Sequence, residues 1–300
     1  MFYKNFVKKY NKIMKLSIGI VGLPNVGKSL FFKLLTKQEV NVSNYPFATI
    51  SPNVGVVPAP DERLKKIAEI MHSQKVLPAV LEFVDIAGLV AGAHEGRGLG
   101  NQFLAHIREV DAIVHLVRVF KDKEIVHFEG ELNPERDFET VLNELRLKDE
   151  QSKEKINLLS CKPQLVILNG QKEETPISLI KKIDSLKFPY LFIDLKKDFS
   201  EESLKKIFEA FIKLLHLVTF FTANENEARS WFVKKGTKAP QAAGVIHTDF
   251  EKRFIKAEVI NWQKLLEAKS WLIAKQKGWL RLEGKDYEVE DGDVMLIRCG

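Results

Sequence analysis

The chain has 300 residues, 45% hydrophobic and 29% charged, enough to bury a substantial core and to divide into two or three domains. Four of its six net positive charges are Lys4, Lys8, Lys9 and Lys12, in a stretch of 13 residues without an acid, so the rest is nearly balanced and makes no case for direct DNA binding. That stretch lacks an apolar core long enough for a signal peptide or membrane span, and two distant cysteines, Cys161 and Cys299, offer neither a disulfide framework nor metal spacing, which points to the cytoplasm and away from a membrane.

Residues 1–13 read as a basic N-terminal extension, either tail or extra helix, with Met14 a second candidate start. The apolar run 16–21 is then a strand and 30–35 a helix. Between them lies Gly22-Leu23-Pro24-Asn25-Val26-Gly27-Lys28-Ser29. A strand, a glycine-bounded loop ending in Lys-Ser and a helix are the parts of a phosphate-binding P-loop. The backbone amides of Asn25, Val26, Gly27, Lys28 and Ser29, beyond the turn at Gly22, would wrap a triphosphate. Lys28 would reach the β/γ-phosphates, and the Ser29 hydroxyl would ligate Mg²⁺. The Asn25 amide oxygen suits a monovalent cation, K⁺, held against the phosphates, or serves only to stabilise the loop.

Further apolar runs at 55–57, 81–84, 112–119, 165–168 and 190–193, with helical patterns at 61–71, 100–110 and 177–186, predict a doubly wound parallel sheet with its ligand at the carboxyl ends of the strands. Thr49, between the P-loop helix and the next strand, can complete a Mg²⁺ shell. Asp85-Ile86-Ala87-Gly88 follows the strand 81–84, where an aspartate supports the metal and the Gly88 amide senses the γ-phosphate. Gly88, Gly92, Gly96, Gly98 and Gly100 make the following segment conformationally permissive, as a switch loop requires. Leu89 cannot orient an attacking water, so hydrolysis needs another group; His127 and His94 are the candidates, each with a packed or exposed ring as the plainer alternative.

The charged segment 133–159, with Phe138, Val141, Leu142, Leu145 and Leu147 at helical spacings, reads as a short helical insertion or as an ordinary crossover helix. The strand 165–168 runs into Asn169-Gly170-Gln171-Lys172. A guanine reader would carry a carboxylate where Lys172 stands, and Glu173 is the nearby substitute. Beyond 215, strands at 218–221, 230–233, 254–259, 279–282 and 294–298, with a helix near 239–246, predict a compact α+β module.

Together these motifs resemble the Obg-like ATPase (YchF) family, through Gly-Leu-Pro-Asn-Val-Gly-Lys-Ser at 22–29, Asn-Tyr-Pro-Phe-Ala-Thr at 44–49, Asp-Ile-Ala-Gly-Leu-Val at 85–90, Gly-Leu-Gly-Asn-Gln-Phe at 98–103 and Ala-Pro-Gln-Ala-Ala-Gly-Val-Ile-His-Thr-Asp-Phe-Glu-Lys at 239–252. The resemblance implies an α/β P-loop NTPase domain at 14–132 and 161–215, interrupted by a short helical insertion at 133–160. A TGS-like domain of β-grasp type follows at 216–300. It also implies ATP in preference to GTP, His127 as the hydrolytic residue, Asn169 and Gly170 at the base, and a ribosome or ribosomal subunit as partner. GTP-dependent switching and nucleotide binding with little hydrolysis are the rival readings. Two departures from the family pattern stand out: 133–159 is several tens of residues too short for the family's helical arm, and Lys172 replaces its usual glutamate.

Overall fold

The computed structural model describes residues 16–37, 53–86, 107–122, 124–127, 130–151 and 158–300. The expectations placed on the 1–13 extension, Thr49, Gly88, Leu89 and His94 lie outside the described residues.

Two six-stranded sheets form the framework. The first contains β1 (Ser17–Val21), β2 (Val54–Pro58), β4 (Val80–Asp85), β5 (Ala112–Arg118), β6 (Gln164–Asn169) and β7 (Tyr190–Phe192), in the order β2-β4-β1-β5-β6-β7. Every residue of β5 and β6 is buried, as strands in a sheet covered on both faces are, and all are apolar apart from His115, Arg118, Gln164 and Asn169. The pairings from β4 through β7 are parallel, while β2 runs antiparallel to β4, from Val54 opposite Val84 to Pro58 opposite Val80. The expected doubly wound sheet therefore carries one antiparallel edge strand. Ile20 pairs with Asp85, so β1 and β4 deliver the P-loop and the carboxylate to the same edge.

Helix α1 (Lys28–Thr36) buries Phe31 and Leu35 in the first core. Between β5 and β6 lies a helix of 18 residues, Pro134–Gln151. Its Phe138 and Leu142 pack with Val117, Val119, Val166 and Leu168, and its Val141 and Leu145 join the main cluster. Near its end, the Asp149 carboxylate accepts from the amides of Leu159 and Ser160 at 2.8 and 2.9 Å, bringing the chain back towards β6. The helix thus packs on the sheet between the two strands that it connects; in chain order it is α3, after α2 (Glu62–Met71). Helix α4 (Ile177–Ser185) covers the β6–β7 side with Leu179 and Ile183. Helix α5 (Glu201–Leu214) sets Phe208 and Phe211 edge-on against Phe83, at centroid separations of 6.5 and 6.2 Å.

The second sheet has the order β11-β10-β12-β8-β9-β3. Strands β8 (Leu217–Ala223) and β9 (Glu227–Lys234) form a hairpin. Strand β12 (Asp293–Cys299) lies parallel to β8 and antiparallel to β10 (Phe254–Asn261), which also pairs with β11 (Arg281–Glu283). Helix α6 (Ala239–Ile246) packs Ala239, Ala242 and Ala243 against Val218, Phe220, Val233, Ala257 and Val259. First and last strands parallel at the centre, with a helix across them, are what the β-grasp expectation calls for. Three short helices, α7 (Thr248–Lys252), α8 (Trp262–Ala268) and α9 (Trp271–Gln276), complete this half.

The sixth strand of this sheet comes from the first half of the chain. Strand β3 (Lys75–Leu77) pairs in parallel with β9, Lys75 opposite Glu227 and Leu77 opposite Arg229. Helix α2 packs Leu64, Ile67 and Ala68 with Phe221, Ala228, Ile260 and Leu265. The 61–71 pattern, read as a helix of the nucleotide sheet, therefore belongs to the second core. An amphipathic stripe shows which face of a helix is apolar, not which sheet that face covers.

Candidate nucleotide site

The P-loop owes its shape to three residues with positive φ: Gly22 at 153°, Asn25 at 63° and Gly27 at 105°. Positive φ at Asn25 and Gly27, on either side of Val26, is the backbone pattern that anion nests use. A Cβ on Gly22 would fall 2.5 Å from the Leu116 carbonyl oxygen, and one on Gly27 would fall 2.8 Å from Asn169 Nδ2, so both positions need glycine for space as well as conformation. Val26 is buried as a wedge beneath the loop, and Ser29 is exposed in the first turn of α1.

The Lys28 ammonium donates to the carbonyls of Gly22 and Leu23, at 2.9 and 2.8 Å. Burial lowers its pKa to about 8, against a smaller opposing pull from Asp85. Burial in turn raises the pKa of Asp85, partly offset by Lys28. A cation and a carboxylate, each incompletely compensated, face the place where phosphate and metal would sit. Among the described residues no group of three or more His, Cys, Asp or Glu side chains could hold a metal. Mg²⁺ does not need one, because in phosphate sites it keeps waters and takes one or two protein oxygens beside the phosphates. The hydroxyl of Ser29 and the carboxylate of Asp85 fit that donor set.

Asn169 ties the site together. Its Nδ2 donates to the Val26 carbonyl at 2.9 Å and its Oδ1 accepts from the Leu195 amide at 3.1 Å, joining the P-loop to the segment after β7. Gly170, with φ 140°, lies so close to β5 that a Cβ there would meet Val119 at 2.7 Å. A 3-10 turn, Lys172–Glu174, follows. Lys172, Glu173 and Glu174 are all exposed; Glu174 Oε2 accepts from the Gln171 amide at 3.1 Å and thereby turns back toward Gly170. The carboxylate folded against this loop is thus that of Glu174, one residue beyond the expected substitute.

Pattern reading missed Arg118, Phe120 and Lys196. Arg118, 2% exposed at the end of β5, donates to the carbonyls of Phe120, Asp122 and Ile125, each at 3.1 Å. Its guanidinium lies 4.7 Å from the Phe120 ring centroid, with the Lys196 ammonium 5.8 Å from the same ring and 3.1 Å from Asp122. The available signal was an arginine closing a strand that is apolar apart from His115. From the loop so organised, the Val126 carbonyl accepts from Asn25 Nδ2 at 3.1 Å, and the buried His127 places Nε2 2.7 Å from Asp137 Oδ2.

Gly22, Asn25, Val26, Gly27, Lys28, Ser29, Asp85, Asn169 and Gly170 therefore lie at one edge of the first sheet, while His127 follows the Val126 carbonyl that Asn25 holds and turns its ring to Asp137. A separate cavity of about 430 Å³, lined by Arg63, Lys213, His216, Lys235 and Asp291 among others, includes none of them. No helix among the described residues is long and apolar enough to cross a membrane.

A family model described as "50S ribosome-binding GTPase" matches residues 17–169, and the YchF-GTPase_C model, described as a protein of unknown function, matches 217–300. The chain is 40% identical to "Ribosome-binding ATPase YchF" of Pasteurella multocida, in an alignment of 360 residues covering 95% of this chain and 99% of the relative. It is 38% identical to the protein of that name in Bacillus subtilis, with 95% and 99% covered, and 37% identical to "Obg-like ATPase 1" of Gallus gallus, with 94% and 92% covered. Alignments longer than this chain itself mean that these relatives carry several tens of residues with no counterpart here. The solved YchF GTPase of Schizosaccharomyces pombe superposes with a TM-score of 0.81 at 34% identity, over 95% of this chain and 98% of that one.

Proposed function

The chain belongs to the YchF family, and on that premise we propose that it is a cytoplasmic, Mg²⁺-dependent ATPase whose nucleotide state is read by a ribosomal partner. The observation that carries this reading is the Lys28 ammonium, bonded to two carbonyls of its own loop beside Asp85. Phosphate oxygens of ATP take the ammonium over from Gly22 and Leu23, exchanging neutral acceptors for charged ones. The amides of residues 25–29 gather the β- and γ-phosphates. Ser29 and Thr49 would hold Mg²⁺, with Asp85 supporting it; when bound, the ion would neutralise charge developing on the γ-phosphate. Gly88 senses that phosphate, and His127 orients the attacking water in place of a side chain that Leu89 cannot supply.

Asn25, beside the phosphates, is the residue for K⁺ if the reaction uses it. Adenine preference is supported by the word ATPase in the relatives' names; Lys172 removes the acceptor that a guanine reader needs, which argues against guanine without selecting adenine. Asn169 and Gly170 are the residues for the base side of the nucleotide. The ribosomal partner is supported by those same names.

Calorimetric titration with ATP and GTP, each with Mg²⁺ and K⁺, tests the reading. ATP binding at least about tenfold tighter, a difference of about 1.4 kcal/mol, is the expected result. Tighter GTP binding would reassign the protein as a guanine-nucleotide switch, and binding of neither would leave an interaction module on a P-loop scaffold.

A further inference from the structure

We infer that Asp137 is the positioning residue for His127, fixing the ring tautomer in which Nε2 carries the proton and Nδ1 is the acceptor presented to water. The inference rests on the reading of His127 as the residue that orients the attacking water.

The segment between β5 and α3 is fastened at three places. Arg118 holds the carbonyls of Phe120, Asp122 and Ile125, and Asn25 of the P-loop holds the carbonyl of Val126. Both fix backbone and leave the direction of the imidazole undetermined. Asp137 fixes the ring, with Oδ2 2.7 Å from Nε2 and with 6% and 2% of the two side chains exposed. Its own placement is rigid: it lies in the first turn of α3, its amide bonded to the Asn133 carbonyl at 2.9 Å, and the next residue, Phe138, is fully buried beneath β5 and β6.

The carboxylate is also held to the ring electrostatically. Burial pushes the Asp137 pKa up, opposed chiefly by the bond to His127 and further by the Arg136 guanidinium, 3.5 Å from Oδ1. A buried carboxylate so placed keeps a proton on the nitrogen it faces, and an imidazole protonated at Nε2 accepts at Nδ1. The opposite tautomer would turn an N–H toward the water whose O–H must be bound. Asn25 makes the arrangement dependent on the phosphate loop, since the amide that holds Val126 flanks the triphosphate position.

The test compares ATP turnover and nucleotide affinity in full-length wild type, His127→Ala, Asp137→Asn and the double variant. An asparagine at 137 keeps the shape but offers Nε2 a donor, favouring the wrong tautomer. The expected result is a loss of about tenfold or more in kcat for Asp137→Asn, with ATP Kd changed by less than roughly twofold and the double variant no slower than His127→Ala. A purely structural pair would instead reduce affinity and thermal stability along with kcat, or give additive losses, and either outcome overturns the inference. Unchanged kcat in Asp137→Asn, with a loss in His127→Ala, overturns it too while leaving the histidine's role standing. Unchanged kcat in His127→Ala removes the histidine's role first, and this inference with it. Should the Asp137 variant not fold, nitrogen chemical shifts of the wild-type His127 ring decide: a proton on Nε2 is expected, and a proton on Nδ1 alone overturns the assignment.

Discussion

Asn169 donates from its side-chain amide to the Val26 carbonyl at 2.9 Å, so the residue that opens the base-side loop also holds up the phosphate-binding loop. The same amide receives the Leu195 N–H through Oδ1, in a setting where all three residues are buried. Removing it therefore strands a buried carbonyl and a buried N–H together. Asn169→Ala is expected to cost about 2–4 kcal/mol of stability, read from urea unfolding midpoints, and to weaken ATP binding by loosening the loop from beneath. A variant with weakened binding but unchanged midpoint would mean that the amide contacts only the nucleotide.

Gly22 gives a second prediction from geometry. Its φ of 153° and the Leu116 carbonyl, 2.5 Å from where a methyl group would stand, leave no position for a side chain, and the obstacle is the backbone of a central strand. Gly22→Ala is expected to destabilise the fold by about 1–3 kcal/mol and to abolish measurable triphosphate binding, because relief of the clash must move the loop. Calorimetry on folded variant protein checks this; binding within twofold of wild type would count against the nest geometry.

The difference between these legible positions and the rest of the molecule is physical. The P-loop was readable because its backbone demands glycine at fixed offsets, and β5 and β6 because strands buried on both faces become near-continuous apolar runs. Strand β3 was not, since three residues, Lys75, Val76 and Leu77, show no period and two of them are exposed. Helix α2 was recognisable as a helix but not as a part of the second core, for the contacts that place it, to Phe221 and Ala228, lie some 150 residues away in sequence. Helices α8 and α9 are too short to establish a 3.6-residue period. Glu174 rather than Glu173 folds toward Gly170 because the 3-10 turn sets that register, which residue type alone does not reveal.

Lys28 predicts a pH dependence of stability without nucleotide. Its native pKa of about 8 lies below the ordinary lysine value of 10.5, so the unfolded chain binds its proton more tightly than the native state does. Between those values the unfolded state holds more protons, and the Lys28 contribution to stability rises with pH, by a total on the order of 1–3 kcal/mol. Below pH 8 both states are protonated and the penalty of burying the charge is fully felt. Lys28→Met is expected to be more stable than wild type near pH 7, with the difference shrinking toward pH 10. Unfolding midpoints of the pair across that range check it, and subtracting one from the other removes the titration of Lys162, Lys234 and Tyr287, which is common to both. A difference independent of pH would show that the ammonium is not desolvated. The same variant should lose triphosphate binding and turnover, and retention of both would count against the role assigned to Lys28.

Arg63 joins the two halves of the molecule from the first turn of α2. Its guanidinium bonds Asp61 on its own segment, reaches Asp291 in the turn before β12 at 2.7 Å, and lies 5.2 Å from the Phe221 ring centroid on β8. The Asp291 carboxylate meanwhile accepts from the Thr219 amide at 2.9 Å, so one arginine links α2 to the strands at the centre of the second sheet. Because Asp291 is 53% exposed, the ion pair itself is screened and adds little, and most of the effect comes from the ring contact and the lost packing. Arg63→Ala is therefore expected to cost about 1–2 kcal/mol, concentrated where α2 and β3 meet the second sheet. Hydrogen exchange should quicken for the Gln74 and Lys75 amides, which bond to the carbonyls of Glu225 and Asn226, before it changes in β5. Equal acceleration in both sheets would mean that the arginine supports global stability instead of this junction. ATP affinity should stay within roughly twofold, since Arg63 shares no hydrogen bond or ion pair with a P-loop residue.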